Sequence, residues 1–305
     1  MNYTYDSTGA LTSIKEKNNK VLASYGYDNY GRLTTVNRNN GNGAVSSLGY
    51  NNVGQVQNFD HVNINNASFK YNPASQIVNR VVSNANFQMK IPTINQENYE
   101  VNNLNQYDSV GSQNISYDNT GNLTNFDGWV YNYNAHNRLT SAARFGQSLA
   151  LTYDPTGRLE SSSLNGSKTN FLYDGDELIG EYNSSGTLLN RYVHGIAEDD
   201  PLVWYVGSGT TNTRYLLADE RGSIVAETSS TGGISRTHQY GPYGEPMNNS
   251  TSRFRYTGQI LLPGTELYYY KARIYHPKLG RFLQTDPIGY DDGMNWYAYV
   301  GNDPI

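Results

Sequence analysis

The chain has 305 residues, which is enough for one large domain or two smaller ones. Only 37% of the residues are hydrophobic, whereas 28 are Tyr and 30 are Gly, a mixture that predicts β-strands joined by polar turns. The net charge of -5, the scattered Lys and Arg and the lack of Cys argue against a nucleic-acid surface and exclude disulfide bonds and thiolate chemistry. Apolar runs stay well short of the roughly 18 residues that a membrane helix needs, so we expect no membrane span.

The amino terminus enters a strand pattern at once, through Met1-Asn-Tyr-Thr-Tyr5. A secretory signal peptide would begin with positive charge followed by an apolar stretch, and this pattern is absent. We therefore expect the chain to begin inside a longer repeat array.

A short unit, Tyr-Asp/Asn-x-x-Gly-x-Leu, recurs along residues 1–190. Its first copies begin at positions 5, 27, 50 and 71, and later copies begin at 117, 133, 153, 173 and 182. A degenerate copy is expected near Tyr99. Asp or Asn can bond to the turn backbone and Gly accepts a positive φ, so each unit predicts a tight hairpin. The Tyr before the turn and the Leu after it should lie opposite each other on one face.

A single hairpin is only marginally stable in water, so the hairpins must pair side by side into continuous sheets. No stretch keeps a 3.6-residue apolar period for more than about two turns, which argues against helices. The sequence therefore predicts an all-β protein.

Residues 191–305 depart from the repeat and carry an ordered series of aromatic, Gly and Asp-Pro motifs. In chain order these are Arg191-Tyr-Val-His-Gly195, Pro201-Leu202, Tyr215-Leu-Leu-Ala-Asp219-Glu-Arg-Gly222-Ser223, Tyr240-Gly-Pro-Tyr-Gly-Glu245, Arg255-Tyr-Thr-Gly-Gln259, Leu267-Tyr-Tyr-Tyr-Lys-Ala-Arg273-Ile-Tyr275, Gly280-Arg-Phe-Leu-Gln-Thr-Asp286-Pro-Ile-Gly289 and Asn295-Trp-Tyr-Ala-Tyr-Val-Gly-Asn-Asp-Pro304. We therefore predict a repeat array over residues 1–190 and a core domain over residues 191–305.

Repeats and core motifs together strongly resemble the RHS/YD-repeat family, which includes the C component of Tc toxins and the YD shell of teneurins. The resemblance covers essentially the whole chain. It implies a spiralling array of YD-repeat β-hairpins that forms a curved, hollow shell, closed at the C-terminal end by the RHS core. The chain is short for a closed shell, so we expect a partial, open one. Its core is also expected to be truncated, at Asp303-Pro304-Ile305, before the family's self-cleavage motif.

The resemblance implies a structural shell segment of a bacterial RHS toxin that encapsulates and presents a C-terminal effector, which is absent here. The implied partners are that toxin cargo, covalent or cleaved, a secretion machinery such as a type VI system, and an immunity protein. No cofactor and no nucleic acid are implied, and the expected location is secreted or at the bacterial cell surface. Exposed edge strands should also pair with another copy of the chain.

An adhesion or carbohydrate-binding module built from YD repeats is the alternative. In that case Trp129, Trp204 and Trp296 would be exposed sugar-stacking platforms, whereas in a shell they would pack along the sheet.

Asp286, in the Asp-Pro-Ile-Gly motif, is the strongest candidate for chemistry. By resemblance it is the acid of the self-cleavage site of the parent protein, and Arg273 or Arg281 would orient it or bind a developing oxyanion. Alternatively, Asp286 simply starts a type I turn that Gly289 closes. An aspartyl-type self-protease also needs a second carboxylate within about 3 Å, so we expect no enzyme activity of this fragment alone.

The five histidines show no paired metal-ligand spacing, and we predict no metal site. His276 stands where the family usually carries an Asp, and we expect an exposed turn histidine, with a catalytic base as the alternative. His194 precedes Glu198, Asp199 and Asp200, which we interpret as an acidic surface loop rather than a calcium site.

Overall fold

The computed structural model describes residues 1–39, 44–91, 98–250 and 252–304. Within these ranges the protein consists of β-strands, turns and short 3-10 segments and has no α-helix, which confirms the all-β prediction. The 3-10 segments are Ala85–Phe87, Tyr256–Gly258, Gly289–Asp292 and Val300–Asn302.

The strands of residues 1–110 are β1 (Asn2–Tyr5), β2 (Leu11–Lys15), β3 (Val21–Tyr27), β4 (Leu33–Arg38), β5 (Val45–Tyr50), β6 (Val56–His61), β7 (Asn65–Tyr71), β8 (Ile77–Val82), β9 (Tyr99–Val101) and β10 (Tyr107–Val110). The next are β11 (Gln113–Asn114), β12 (Ser116–Tyr117), β13 (Leu123–Phe126), β14 (Trp129–Tyr133), β15 (Leu139–Arg144), β16 (Gln147–Tyr153), β17 (Leu159–Leu164), β18 (Ser167–Asp174) and β19 (Glu177–Asn183). The last are β20 (Leu188–His194), β21 (Pro201–Val206), β22 (Thr213–Ala218), β23 (Ile224–Ser229), β24 (Ile234–Thr237), β25 (Ile260–Leu261), β26 (Tyr268–Tyr270), β27 (Arg273–His276) and β28 (Arg281–Phe282).

The chain divides into two compact units, and each unit is built from two separate stretches. The first unit contains residues 1–89 and 190–239, and the second contains residues 90–189 and 240–305. A division into repeats and core at residue 190 remains a prediction, since compactness and sequence motif are different criteria.

In the first unit, β1 to β8 form an eight-stranded open sheet in which each strand pairs antiparallel with its neighbour in the chain. Strands β20 to β24 are likewise paired in chain order. The two sets of strands share one hydrophobic core, where Ile14, Leu22 and Ala23 meet Val203 and Tyr215. Sheet-on-sheet packing of this kind buries the apolar face of each hairpin.

In the second unit, β12 to β19 are paired in chain order, β10 lies between β9 and β11, and β25 to β28 form a four-stranded sheet. The four-stranded sheet packs on the repeats, where the hydroxyl of Tyr269 accepts a hydrogen bond from the amide of Leu159 at 3.0 Å. An ion pair at 2.5 Å joins Arg253, which precedes β25 in the chain, to Glu181 of β19.

Most repeats close with the same five-residue turn, which begins at the Asp or Asn of the motif, whereas the copy at Tyr173 closes with a two-residue turn between Asp174 and Glu177. In the first copy the amide of Asp6 donates to the carbonyl of Ala10, and the amide of Gly9 donates to the carbonyl of Asp6. The Asp6 carboxylate accepts from the amides of Thr8 and Ala10 at 2.8 and 3.0 Å. Gly9 has a φ of 88°, a left-handed conformation that Gly reaches without steric cost.

The same turn forms where the motif lacks Gly. Ser75, Asn105 and Asn137 take the Gly position and adopt positive φ angles of 64°, 58° and 57°. It also recurs in the core region, at 219–223, 241–245 and 255–259. The turn is therefore set by its backbone bonds, which an Asp or Asn at its first position reinforces, and Gly only makes it easier to form.

The first and fifth residues of the turn pair through their side chains according to charge. Asp154 forms an ion pair with Arg158 at 2.8 Å. In the copy at Asn51, the side-chain amide of Asn51 donates a hydrogen bond to the side-chain carbonyl oxygen of Gln55 at 2.6 Å. Arg158 also stacks over the ring of Tyr173 in the next repeat, with 5.3 Å between guanidinium and ring centre. The fifth residue thus supports the turn and can contact the following hairpin.

The motif Tyr and the aliphatic residue after the turn are direct cross-strand partners, as predicted. Tyr27 lies opposite Leu33, and Tyr50 lies opposite Val56, with a bulge before each Tyr. A bulge increases the local twist, which re-aims the Tyr side chain.

The motif Tyr also joins its hairpin to the preceding one. In five copies its hydroxyl donates to the backbone carbonyl of the aliphatic residue of the previous repeat. These bonds run from Tyr27 to Leu11 (2.8 Å), Tyr50 to Leu33 (2.7 Å), Tyr71 to Val56 (2.6 Å), Tyr133 to Leu123 (2.5 Å) and Tyr153 to Leu139 (2.8 Å). These five hairpins are therefore fixed to their predecessors by a side chain as well as by the sheet.

Candidate functional site

The core motifs of the second unit bring a cluster of aromatic rings together around β26, β27 and β28. Tyr275 lies at its centre, with the ring of Tyr299 at 4.3 Å and that of Tyr270 at 5.5 Å between ring centres. Tyr256 and Phe282 complete the cluster. Tilted and edge-to-face pairs of this kind stabilise a fixed geometry, so the cluster is a rigid base for the neighbouring polar groups.

Arg273, at the start of β27, is the polar centre of this region. Its Nη2 lies 2.7 Å from Oδ2 of Asp286, and the two side chains are only 14% and 8% exposed. Its Nη1 donates to the carbonyl of Trp296 at 3.1 Å, and its guanidinium stacks on Phe282 at 3.9 Å. One guanidinium thus joins the Asp-Pro-Ile-Gly motif to the C-terminal segment.

Asp286 also starts the turn that the sequence suggested. Its Oδ1 accepts a hydrogen bond from the amide of Ile288 at 3.0 Å, and its carbonyl accepts from the amide of Gly289 at 3.0 Å. Gly289 has a φ of 66°, so the motif needs Gly there. The turn and the ion pair coexist, and a catalytic role of Asp286 remains a prediction.

Arg281 is engaged elsewhere and is not paired with Asp286. Its guanidinium lies 3.5 Å from the ring centre of Tyr107, and its Nη1 donates to the carbonyl of Asn105. Of the two arginines predicted for the site, the structure brings Arg273 to Asp286 and uses Arg281 to attach the core to the degenerate repeat.

The segment 294–302 crosses the second unit as a strap that is held by hydrogen bonds between side chains and backbone carbonyls. Asn105 donates to the carbonyl of Met294 at 3.2 Å, and Tyr243 donates to the carbonyl of Asn302 at 3.1 Å. The hydroxyl of Tyr297 donates to the carbonyl of Gly121 at 2.7 Å. Sequence reasoning missed the role of Tyr243, because only the fold brings it to residue 302.

His276 is buried, so the expectation of an exposed turn histidine is wrong. It is 5% exposed, and its ring packs edge-on against Phe126 at 5.3 Å. Burial lowers the pKa of His276 to about 4, and the positive charge of Lys278 acts in the same direction. The error arose because the contact with Phe126, some 150 residues away in the chain, has no local sequence signal.

The loop after His194 has the exposed residues predicted for it at 196–198, but its last carboxylate is largely enclosed. Burial raises the pKa of Asp200, while Arg38 and His194 oppose this shift. In the part of the chain that the structure describes, no cluster of three or more His, Asp or Glu is arranged to hold a metal ion.

The tryptophans are mainly packed. Trp129 and Trp204 are each 7% exposed, and the guanidinium groups of Arg144 and Arg214 lie over their rings at 4.6 and 4.5 Å. Trp296 is half-buried beside Tyr290, with 4.8 Å between ring centres. The expectation of packing along the sheet is confirmed for Trp129 and Trp204.

A buried cluster of polar side chains in the first unit was not predictable from the sequence. Glu227 is fully buried, and its two carboxylate oxygens meet Nε2 of His238 at 3.0 Å and Nη1 of Arg214 at 2.9 Å. Three polar residues from β22, β23 and the chain after β24 are thereby satisfied together, which buried charges require.

Family models place this architecture in a known class. The teneurin YD-shell model matches residues 46–305 and the RHS repeat model matches residues 5–42, so the chain belongs to the teneurin YD-shell family. The predicted family membership is confirmed.

Two relatives illustrate the range of proteins that carry this module. The chain is 31% identical over 223 residues to the tRNA3(Ser)-specific nuclease WapA of Bacillus spizizenii, covering 68% of this chain and 9% of WapA. It is 32% identical over 123 residues to the toxin subunit YenC1 of Yersinia entomophaga, covering 36% of this chain and 12% of YenC1. The chain thus spans about a tenth of the length of these relatives.

Solved structures show the same fold. The TcdB2-TccC3 crystal structure without its hypervariable C-terminal region superposes with a TM-score of 0.72 and 19% identity, covering 99% of this chain and 20% of that one. The Photorhabdus luminescens Tc holotoxin pore gives a TM-score of 0.65 with 18% identity over 99% of this chain and 20% of that one. Among the described residues, no helix is long and apolar enough to span a membrane.

Proposed function

We propose that this chain is a wall segment of a bacterial toxin shell that encloses and presents a C-terminal effector. The observation that carries the proposal is the series of five bonds from motif Tyr side chains to the preceding repeat, as from Tyr50 to Leu33 at 2.7 Å. Within each unit, such bonds join successive hairpins into a wall rather than a set of separate modules. The toxin and nuclease names of the relatives agree with this role.

The distribution of aromatic rings favours a wall over a sugar-binding surface. A saccharide platform needs several exposed, roughly coplanar rings, yet Trp129 and Trp204 are covered by arginines. Tyr3 and Tyr5 are exposed, but they pair across the strands with Ile14 and Leu11, which are buried. Their rings therefore lie on the face of β1 that belongs to the core.

The proposed partners follow from enclosure. They are the effector, attached or cleaved, the secretion machinery that exports the shell, and an immunity protein that recognises the effector. Delivery to other cells implies a secreted or cell-surface location.

The direct test of enclosure uses the chain extended at residue 305 by its natural downstream sequence. We expect a protease to digest the isolated downstream segment quickly and to spare the same segment when the shell is intact. Equal digestion rates in both forms would contradict enclosure.

We further propose that Asp286 takes part in self-cleavage of the longer protein, with Arg273 as the residue that orients it. In peptide hydrolysis the oxygen of water bonds to the carbonyl carbon, the C–N bond breaks, and a proton passes to the leaving nitrogen. Asp286 would relay that proton, and the ion pair of 2.7 Å with Arg273 would fix its carboxyl group in place.

Denaturing gels and intact mass of the extended chain test this step. The protein with Asp286 intact should yield two fragments, Asp286→Asn should yield one, and the exposed control Asp291→Asn should be cut normally. An uncut product in all three proteins would leave Asp286 as a turn residue only.

A further inference from the structure

The C-terminal strap ends in a strained turn. Val300, Gly301 and Asn302 have positive φ angles of 42°, 63° and 64°. A β-branched residue such as Val rarely adopts a positive φ, so the surrounding structure must impose it. The amide of Asn302 donates to the carbonyl of Tyr299 at 2.8 Å, and that of Asp303 donates to the carbonyl of Val300 at 3.1 Å.

The residue before the turn is held by the aromatic cluster. Tyr299 is only 6% exposed, its ring lies 4.3 Å from that of Tyr275, and its hydroxyl is 3.0 Å from the hydroxyl of Tyr270. This end of the turn cannot move without opening the cluster.

The far end of the turn is held by Tyr243, whose hydroxyl donates to the carbonyl of Asn302 at 3.1 Å. Tyr243 is itself fixed at its backbone. Its amide donates to the carboxylate of Glu245 at 2.9 Å, and its carbonyl accepts from the hydroxyl of Tyr275 at 2.7 Å. A Cβ atom on Gly280 would come within 2.9 Å of the Tyr243 ring, so the ring is also seated against the turn before β28.

Tyr275 therefore connects both ends of the turn, since its ring contacts Tyr299 and its hydroxyl holds Tyr243. The strap is also joined to the candidate site, because Arg273 binds both Asp286 and the carbonyl of Trp296. The path of the strap is thus fixed at Trp296, at Tyr299 and at Asn302.

We propose that Tyr243 is a positioning residue that holds the turn 300–302 in its strained form and so sets the direction of the backbone from Asp303 onward. This role deepens the proposed function, because the orientation of that backbone decides how a downstream segment meets Asp286. Tyr243 acts through the strap and does not touch Asp286.

Hydrogen exchange of the 305-residue chain tests the proposal without any cleavage. Tyr243→Phe removes one hydroxyl and keeps the ring, so we expect the amides of Asn302 and Asp303 to exchange about fivefold to tenfold faster, as for the loss of one neutral hydrogen bond. The matched control Tyr71→Phe removes a similar hydroxyl-to-carbonyl bond, to Val56 at 2.6 Å, and should leave both amides unchanged.

Unchanged exchange at both amides in Tyr243→Phe, or equal acceleration in the control, would overturn the proposal. The extended chain gives a second measurement: we expect Tyr243→Phe to slow fragment formation and Tyr71→Phe to have no effect. If the extended chain with Asp286 intact is not cut at all, the self-cleavage proposal fails. In that case the exchange result still decides the role of Tyr243.

Discussion

The hydroxyl oxygen of Tyr153 lies 2.8 Å from the carbonyl oxygen of Leu139, to which it donates, and these two residues belong to consecutive repeats. The bond crosses from one hairpin to the next. It gives the motif Tyr a role that Phe, with the same ring, cannot fill.

We predict that Tyr153→Phe lowers the free energy of unfolding by about 1 kcal/mol, because it leaves the hydroxyl-to-carbonyl bond unmade. Tyr30, whose ring is 84% exposed at the tip of a turn, is the control, and Tyr30→Phe should change stability by less than about 0.5 kcal/mol. Urea unfolding of both variants measures this difference. Equal effects would show that the Tyr hydroxyls do not join the repeats.

Two glycines have nearly the same φ angle but different surroundings. Substituting each by Ala therefore separates the cost of backbone strain from the cost of steric overlap. Gly9 and Gly244 have φ angles of 88° and 89°, but a Cβ atom meets nothing within 4 Å at Gly9 and would overlap the ring of Tyr256 at Gly244. We predict a cost of about 1 kcal/mol for Gly9→Ala, from the left-handed backbone alone. Gly244→Ala should cost roughly 1–3 kcal/mol more, because it overpacks the aromatic cluster.

Thermal or denaturant unfolding of the two variants provides the comparison. A cost at Gly244 no larger than at Gly9 would mean that the cluster yields easily, which would contradict a rigid base for the candidate site.

The burial of His276 predicts a specific pH dependence of stability. In the fold its pKa is about 4, whereas an unfolded chain takes up this proton near the ordinary value of about 6.5. Between these pH values the unfolded state binds more protons. The contribution of neutral His276 to the free energy of unfolding is therefore fully present above about pH 6.5 and is lost as the pH drops towards 4. This single group accounts for a loss of about 3 kcal/mol over that interval.

His276→Phe tests this assignment, because Phe keeps a ring against Phe126 and cannot take up a proton. We expect its free energy of unfolding to fall less steeply than that of the wild-type protein between pH 6.5 and 4. The same slope in both proteins would show that other groups control this range.

The open edge of the eight-stranded sheet predicts self-association. Strand β8 exposes Ile77, Val78 and Val81, at 40%, 61% and 54%, and free edges pair readily with other strands. We expect the protein to form dimers at high concentration by light scattering, and Val78→Lys to reduce them. Val53, which is 78% exposed in a turn, is the control: Val53→Lys should leave association unchanged. A strictly monomeric wild-type protein would contradict this prediction.

The repeat allowed much of the fold to be predicted, because its signals are local. Tyr27 opposite Leu33 and the turn at Asp6 follow from residues a few positions apart. The same turn at Asp219 was not identified as a repeat, since the sequence before it is Leu-Leu-Ala rather than Tyr. The backbone hydrogen bonds of this turn therefore occur at more positions than the sequence motif does.

Distance along the chain did not decide which residues of the candidate site could be predicted. Arg273 and Asp286 were proposed together, and the structure pairs them. Arg281 lies nearer to Asp286 in sequence, yet it stacks on Tyr107, because the tertiary packing of the second unit places that ring beside it.

Electron cryomicroscopy of the extended chain with its downstream segment tests the central claim most directly. The claim predicts density for that segment bounded by the YD sheets, on the side to which the core strap leads. Density for the downstream segment on the outer surface, with empty space against the sheets, would contradict a toxin-enclosing shell.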